Sequence, residues 1–349
     1  MYEAFFGLSE RPFQLTPNQR FLVLNSSHRE ALATLRYGFS SSLGITLLLG
    51  EAGTGKTTLL RAALHAEERP EHLHVALNNP TLSPADFYEI LADKFGLAGA
   101  SGSKGRFLLA FERQLLERHR AGGRTAVVFD EAQSLSHELF EEIRLLANLE
   151  TETAKLLNVV LVGQQELADR LNDPSLRQLK QRIVLRCLLT PLDLPSTASY
   201  IAARLRVAGA SPDDVFTKDA VVAIYEASRG SPRTIGVICE NALLAGYAAQ
   251  EKPVDWSVVA DVCRDFDLPA VGRPRREDRA MPHSGVADPE RPAPAEPERP
   301  APAEPAPSPG RAPRRFWFST RRQESGPGSP AEASEVPVVE DVPRMFRFF

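Results

Sequence analysis

The chain has 349 residues, with 41 basic against 45 acidic side chains for a net charge of −4, and 43% of its residues are apolar. That length suits roughly two packed domains plus a tail, and the charge excludes nucleic-acid binding by bulk basicity. No run reaches the ~18 apolar residues of a membrane helix, no basic-then-apolar leader opens the chain, and Cys187, Cys239 and Cys263 lack metal-ligand spacing, so buried thiols and a cytoplasmic location are expected.

In chain order, Ser27-x-x-Glu30 resembles a capping box and predicts a helix start. Ile45–Leu49 is a short apolar run ending at Gly50, as in a buried parallel strand. His74–Leu77, Thr125–Phe129, Asn158–Val162 and Ile183–Leu189 read the same way. Between them, Ser83-Pro84-x-Asp86 opens another helix, and Leu139, Ile143, Leu146 and Leu149 give segment 136–149 one apolar face. Five strands alternating with helices predict an α/β three-layer sandwich on a parallel five-stranded sheet. From Pro195 onward the strand pattern stops, and 196–208, 218–228, 233–250 and 255–266 read as helices. After Leu268 the composition changes: more than half of the 28 prolines follow, and ERPAPAEP occurs at 290–297 and again at 298–305. Such a segment buries too little apolar surface to offset its ordering entropy. The expected organisation is a core over 1–190, a helical lid over 191–268 and a disordered tail over 269–349.

The strongest motif is Gly50-Glu51-Ala52-Gly53-Thr54-Gly55-Lys56-Thr57, a G-x-x-x-x-G-K-[ST] phosphate-binding loop followed by Thr58. Its glycines let backbone N–H groups face phosphate oxygens. Lys56 adds charge for the β- and γ-phosphates, Thr57 offers a hydroxyl to Mg²⁺, and the helix opening there adds its positive dipole end. These residues predict ATP and Mg²⁺ as ligands. Val127-Val128-Phe129-Asp130-Glu131 ends an apolar strand in two carboxylates. Asp130 is expected to help hold Mg²⁺ and Glu131 to polarise the attacking water. After the strand at 158–162, Gln164 is the candidate to reach the γ-phosphate, with Gln165 as the fallback. In Gly230-Ser231-Pro232-Arg233 the proline suits a first helical turn, which would aim Arg233 back at the nucleotide. Arg177, Lys180 and Arg182 precede the last strand, and one of them is expected to serve a neighbouring subunit's nucleotide. Arg314-Arg315 and Arg321-Arg322 flank Phe316-Trp317-Phe318, a pattern suited to an anionic membrane surface or a partner protein.

Taken together, the GEAGTGKTT loop, the VVFDEAQ strand end, LVGQ, QRI and GSPR resemble, in order, the motifs of the AAA+ ATPase superfamily. The N-terminal FFGLSERPFQLTPNQRFLVLNSSHREALATLRYGF and GVICENAL resemble, within it, the ExeA/GspA-like ATPases of bacterial secretion, pilus and exopolysaccharide systems. The resemblance runs from about Tyr2 to Asp267 and implies an AAA+ core with a helical lid, ATP hydrolysis and assembly into a homo-oligomer. It implies Asp130 as the Mg²⁺-linked acid, Glu131 as the catalytic base and Gln164 as the first sensor. Arg182 would be the arginine acting in trans and Arg233 the second sensor. ExeA-like proteins commonly carry a membrane helix and a cell-wall-binding domain after the lid, where this chain has its Pro-rich segment. A cytoplasmic ATPase, peripheral at the inner membrane and serving envelope export machinery, is the expectation. The alternative is a DNA-associated ATPase resembling the transposition helpers of the same superfamily.

Overall fold

The computed structural model describes residues 1–14, 19–78, 82–100 and 102–272; the Pro-rich tail and its Arg314–Arg322 motif lie outside the described residues. Five strands, β1 (Ile45–Gly50), β2 (Leu73–Asn78), β3 (Thr125–Asp130), β4 (Asn158–Gly163) and β5 (Ile183–Leu189), form one sheet in the order β2-β3-β4-β1-β5. All four pairings are parallel. Period-2 alternation divides the central strands between two cores. Leu47, Leu49, Val127, Phe129, Val159 and Leu161 point to one face, while Leu48, Ala126, Val128, Val160 and Val162 point to the other.

Helices cover both faces, as a buried parallel sheet requires. On one side lie α2 (Ser26–Ser40) and α3 (Lys56–Ala66), which bury Ala31, Leu35, Phe39, Leu59 and Leu60. On the other lie α4 (Pro84–Lys94), α5 (Lys104–Arg120), α6 (His137–Leu146), α7 (Gln165–Arg170) and α8 (Arg177–Lys180), with Phe87, Phe107, Phe111 and Phe140 in the core. The expected cap at Ser83 is present: its side chain accepts from the Asp86 N–H, and its hydroxyl donates back to the Asp86 carboxylate at 2.7 Å. The cap at Ser27 is not. α2 starts at Ser26 with Asn25 as its cap, accepting from the His28 N–H at 2.9 Å, and Ser27 lies in the first turn, donating to the same Asn25 oxygen. Nor are the two edge strands buried like the three central ones: in β2 only Val75 and Leu77 are buried, and Ala76 is exposed. β5 is an edge strand, with Val184 and Leu188 54% and 52% exposed, and only Cys187 and Leu189 reach the core beneath α2.

After β5 the chain forms α9 (Leu194–Val207), α10 (Lys218–Ser228), α11 (Pro232–Ala249) and α12 (Trp256–Asp265), the all-helical region expected from the pattern. Their apolar core also takes in the first helix, α1 (Tyr2–Phe6), and the segment after it. Tyr2, Phe6, Leu8, Phe13 and Phe21 are buried among Leu205, Ile224, Ile238 and Leu243. Tyr2 donates to Glu240 at 2.8 Å, and Arg204 donates to the Pro12 carbonyl at 2.6 Å. The N-terminal segment is thus fastened to helices some 200 positions downstream, within one compact unit. Among the described residues no helix is long and apolar enough to cross a membrane, and Cys187, Cys239 and Cys263 are free and buried.

Candidate active site

In open parallel sheets, ligands bind outside the carboxyl ends of the strands. Here β3, β4 and β1 are neighbours, so their ends bring together Asp130, Gly163-Gln164 and Gly50 from three distant parts of the chain. Gly50 leads into the phosphate-binding loop, and α3 begins at Lys56 with Gly55 as its cap. Gly53 and Gly55 have φ of 80° and 95°, conformations that ordinary L-residues resist. Gly53 is needed a second time: a Cβ there would lie 2.6 Å from the Ser231 Oγ and 3.0 Å from the Arg233 Cβ. The backbone N–H of Arg233 donates to the Gly53 carbonyl at 3.2 Å. The first turn of α11 therefore rests directly on the loop.

Lys56 is buried, and its ammonium donates to the carbonyls of Gly50 and Glu51 at 2.8 and 3.0 Å. Burial pushes its pKa down, and the charges of Glu131, Asp130 and Glu166 oppose that shift. Thr54 is buried and closes the loop, donating through Oγ1 to the Glu51 carbonyl at 2.8 Å. The Thr57 Oγ1 donates to the Asp130 carboxylate at 2.8 Å, and Asp130 is buried at the end of β3. An alcohol and a carboxylate this close are the hard oxygen donors that suit Mg²⁺. Among the described residues no group of three His, Cys, Asp or Glu could hold a metal by itself. The pair therefore fits an ion that keeps waters and shares phosphate oxygens.

Glu131 has a left-handed backbone, φ 55° and ψ 40°, which costs about 1–3 kcal/mol for a residue with a side chain. Its N–H donates to the preceding Asp130 carboxylate at 3.0 Å, and the residue lines the central cavity. That cavity, about 460 Å³, is of a size common for small-molecule sites. It is lined by Ala52–Leu59, Glu131, Gln164 and Arg233, together with Phe13, Phe21, Tyr200, Arg204 and Gly236. Gln164 lies on it, whereas Gln165 begins α7 and is not among the lining residues.

Arg182 lies apart from this cavity. The strand register pairs Ile45 with Ile183 and Gly50 with Leu189, so Arg182 precedes the opposite end of β5. Six residues of strand put it about 20 Å from the loop. Arg177 and Lys180 sit on the short α8 before it. Sequence reasoning missed three contributors. His28, from the first turn of α2, places Nε2 3.0 Å from the Thr54 carbonyl. Gln133, two residues after Glu131, bonds to the Glu131 carboxylate. Arg204 sits over the rings of Phe13, Phe21 and Tyr200 at 5.8, 5.3 and 5.3 Å, and all four residues line the cavity. Gln133 stood within the DEAQ segment and His28 within Ser27-x-x-Glu30, whereas Arg204 stood beside no motif.

Residues 40–171 match the AAA domain family. Over those residues the loop, the paired acids and the parallel strands are the parts of an AAA-type P-loop domain. Over 250 residues the chain is 43% identical to General secretion pathway protein A of Aeromonas hydrophila, a match covering 71% of this chain and 45% of that protein. The chain thus spans less than half the length of this relative, and the resemblance to the ExeA/GspA-like family holds along the shared part. Solved structures with the same fold include Drosophila ORC bound to DNA (TM-score 0.54, 19% identity, 75% of this chain and 67% of that chain). Cdc6p from Pyrobaculum aerophilum is similar to the same degree (TM-score 0.54, 18% identity, 75% of this chain and 70% of that chain).

Proposed function

We propose that the chain hydrolyses ATP with Mg²⁺ and uses the cycle to assemble or drive a bacterial envelope export system. The observation that carries the hydrolytic part is the 2.8 Å bond between Thr57 and Asp130, with Glu131 and Gln164 on the same cavity as the loop. In this reading the loop N–H groups and Lys56 take the β- and γ-phosphates, and Thr57 and Asp130 hold Mg²⁺. Bound Mg²⁺ supplies charge neutralisation on the phosphates. Glu131 orients a water and accepts its proton as the water oxygen bonds to the γ-phosphorus. The bond to the β–γ bridging oxygen breaks, and ADP leaves with that electron pair. Gln164 reads the γ-phosphate from the end of β4. Arg233 reads it from the lid, in cis, because its helix start rests on the loop of its own chain.

The envelope role rests on the 43% identity to a general secretion pathway protein, and it comes with a cytoplasmic position at the inner membrane. Replacing Lys56 by Ala in the chromosomal gene should then abolish export of the dependent secreted protein, pilus or polysaccharide while growth persists. Unaltered export of all three would overturn it. The Arg314–Arg322 motif, outside the described residues, would supply contact with an anionic surface. Cosedimentation with anionic vesicles should be lost on truncation at Gly310, and equal sedimentation of both forms would remove this contact.

A further inference from the structure

The geometry points to Gln133 as a positioning residue: its side-chain amide ties the Glu131 carboxylate to the end of β4, so that the base is held in register with the turn carrying Gln164. This rests on the reading of Glu131 as the base. Gln133 lies in the short turn Ala132–Ser134 and uses both ends of its amide. Nε2 donates to the Glu131 Oε2 at 2.6 Å, and Oε1 accepts the backbone N–H of Gln164 at 3.3 Å. The orientation is fixed from both sides. A flipped amide would set oxygen against carboxylate and NH₂ against N–H, losing both bonds.

Two further observations join the same parts. A Cβ on Gly163 would lie 2.8 Å from the Gln133 Oε1, so the glycine before Gln164 leaves room for the amide. Arg170, on α7 directly after Gln164, donates to the Gln133 carbonyl and sits 5.0 Å over the Phe140 ring. The turn bearing Gln133 is therefore held by the β4–α7 junction through its side chain and by the last residue of α7 through its backbone. Glu131 needs such a hold. Its left-handed backbone is a costly conformation that persists only when its surroundings over-determine it. A displacement of the Gln164 turn on contact with the γ-phosphate would reach the carboxylate through one amide, without passing through the sheet.

The test uses the full chain carrying Gln133→Met, which keeps side-chain length but removes both bonds, and Gln133→Ala as a second variant. Thermal midpoints and ATP affinity are measured beside turnover. Turnover should fall about 10- to 100-fold, the usual effect of losing a group that orients a functional ligand, with ATP affinity retained. In a Glu131→Gln background, Gln133→Met should cause no further loss, because Gln133 acts through that carboxylate. Full turnover in both variants, a matching loss of ATP affinity, or an equal loss in the Glu131→Gln background would each overturn the role. Failure of the underlying reading is distinct: Glu131→Gln alone would then turn over at the wild-type rate.

Discussion

Lys56 spends its ammonium on two carbonyls of its own loop, so in this state it braces the loop it is meant to serve. Lys56→Ala should abolish ATP binding in calorimetry, since the compact charge for the phosphates is gone, while the circular dichroism spectrum stays native. Unchanged ATP affinity would refute its placement. A second prediction concerns protons. Burial lowers the pKa of His28, a shift opposed by its bond to Thr54, and burial, reinforced by His72, lowers that of His74. The unfolded chain binds these protons near the ordinary ~6.5, the folded chain only at lower pH. Stability from these two is therefore full above about pH 6.5 and declines as pH falls below it. Glu3, Asp193 and Asp255, whose pKa values are lowered by hydrogen bonds, lose their contributions only below about pH 4, a separate window. The thermal midpoint should drop between pH 7 and 5, and His28→Gln with His74→Gln should flatten that slope. An unaltered slope would mean that these imidazoles are not the groups taking up protons.

Among the elements, the lid's contact with the loop depends on a glycine turn. Gly230 has φ 73°, and a Cβ there would lie 1.8 Å from the Leu192 carbonyl oxygen, whose residue also donates its N–H to the Gly230 carbonyl at 2.8 Å. Gly230→Ala should lower stability by more than the about 1–3 kcal/mol of a left-handed residue, because the clash displaces the turn as well. Denaturant unfolding within 0.5 kcal/mol of wild type, about the ordinary surface range, would contradict that. Much of this level was legible. All five strands and the four late helices stand within a few residues of their expected bounds, because each strand is an apolar run and each helix has a clean face. The start of α2 was not, because Asn25, Ser26 and Ser27 are all cap-forming residues and the face made by Ala31, Leu35 and Phe39 fits any of those starts. The exposure of Val184 and Leu188 was hidden as well, since an apolar run does not say which strand takes the sheet edge. The loop, Asp130, Glu131 and Gln164 could be read from local motifs, and the structure brings them to one place. The part of the lining made by Phe13, Phe21 and Arg204 could not, because these residues meet only through tertiary packing.

For the whole molecule, the placement of Arg182 about 20 Å of strand from its own loop motivates a role at a neighbour's site. Such an arginine is worth roughly 10³–10⁵ in turnover in well-studied GTPases. If sites are completed in trans, mixing inactive Arg182→Ala with inactive Lys56→Ala protein should restore activity, because some interfaces pair an intact loop with an intact Arg182. Specific activity should also rise with protein concentration. No rescue, with activity per chain flat down to the monomer, would rule this out. That arrangement matters only if the site hydrolyses ATP by way of Glu131. The most direct measurement is therefore phosphate release from ATP·Mg²⁺ by the full chain and by Glu131→Gln, beside calorimetric ATP binding for both. The predicted result is equal ATP affinity with turnover nearly lost in Glu131→Gln. Turnover equal to wild type in that variant, or no phosphate release from the wild-type chain at any concentration, would contradict the account.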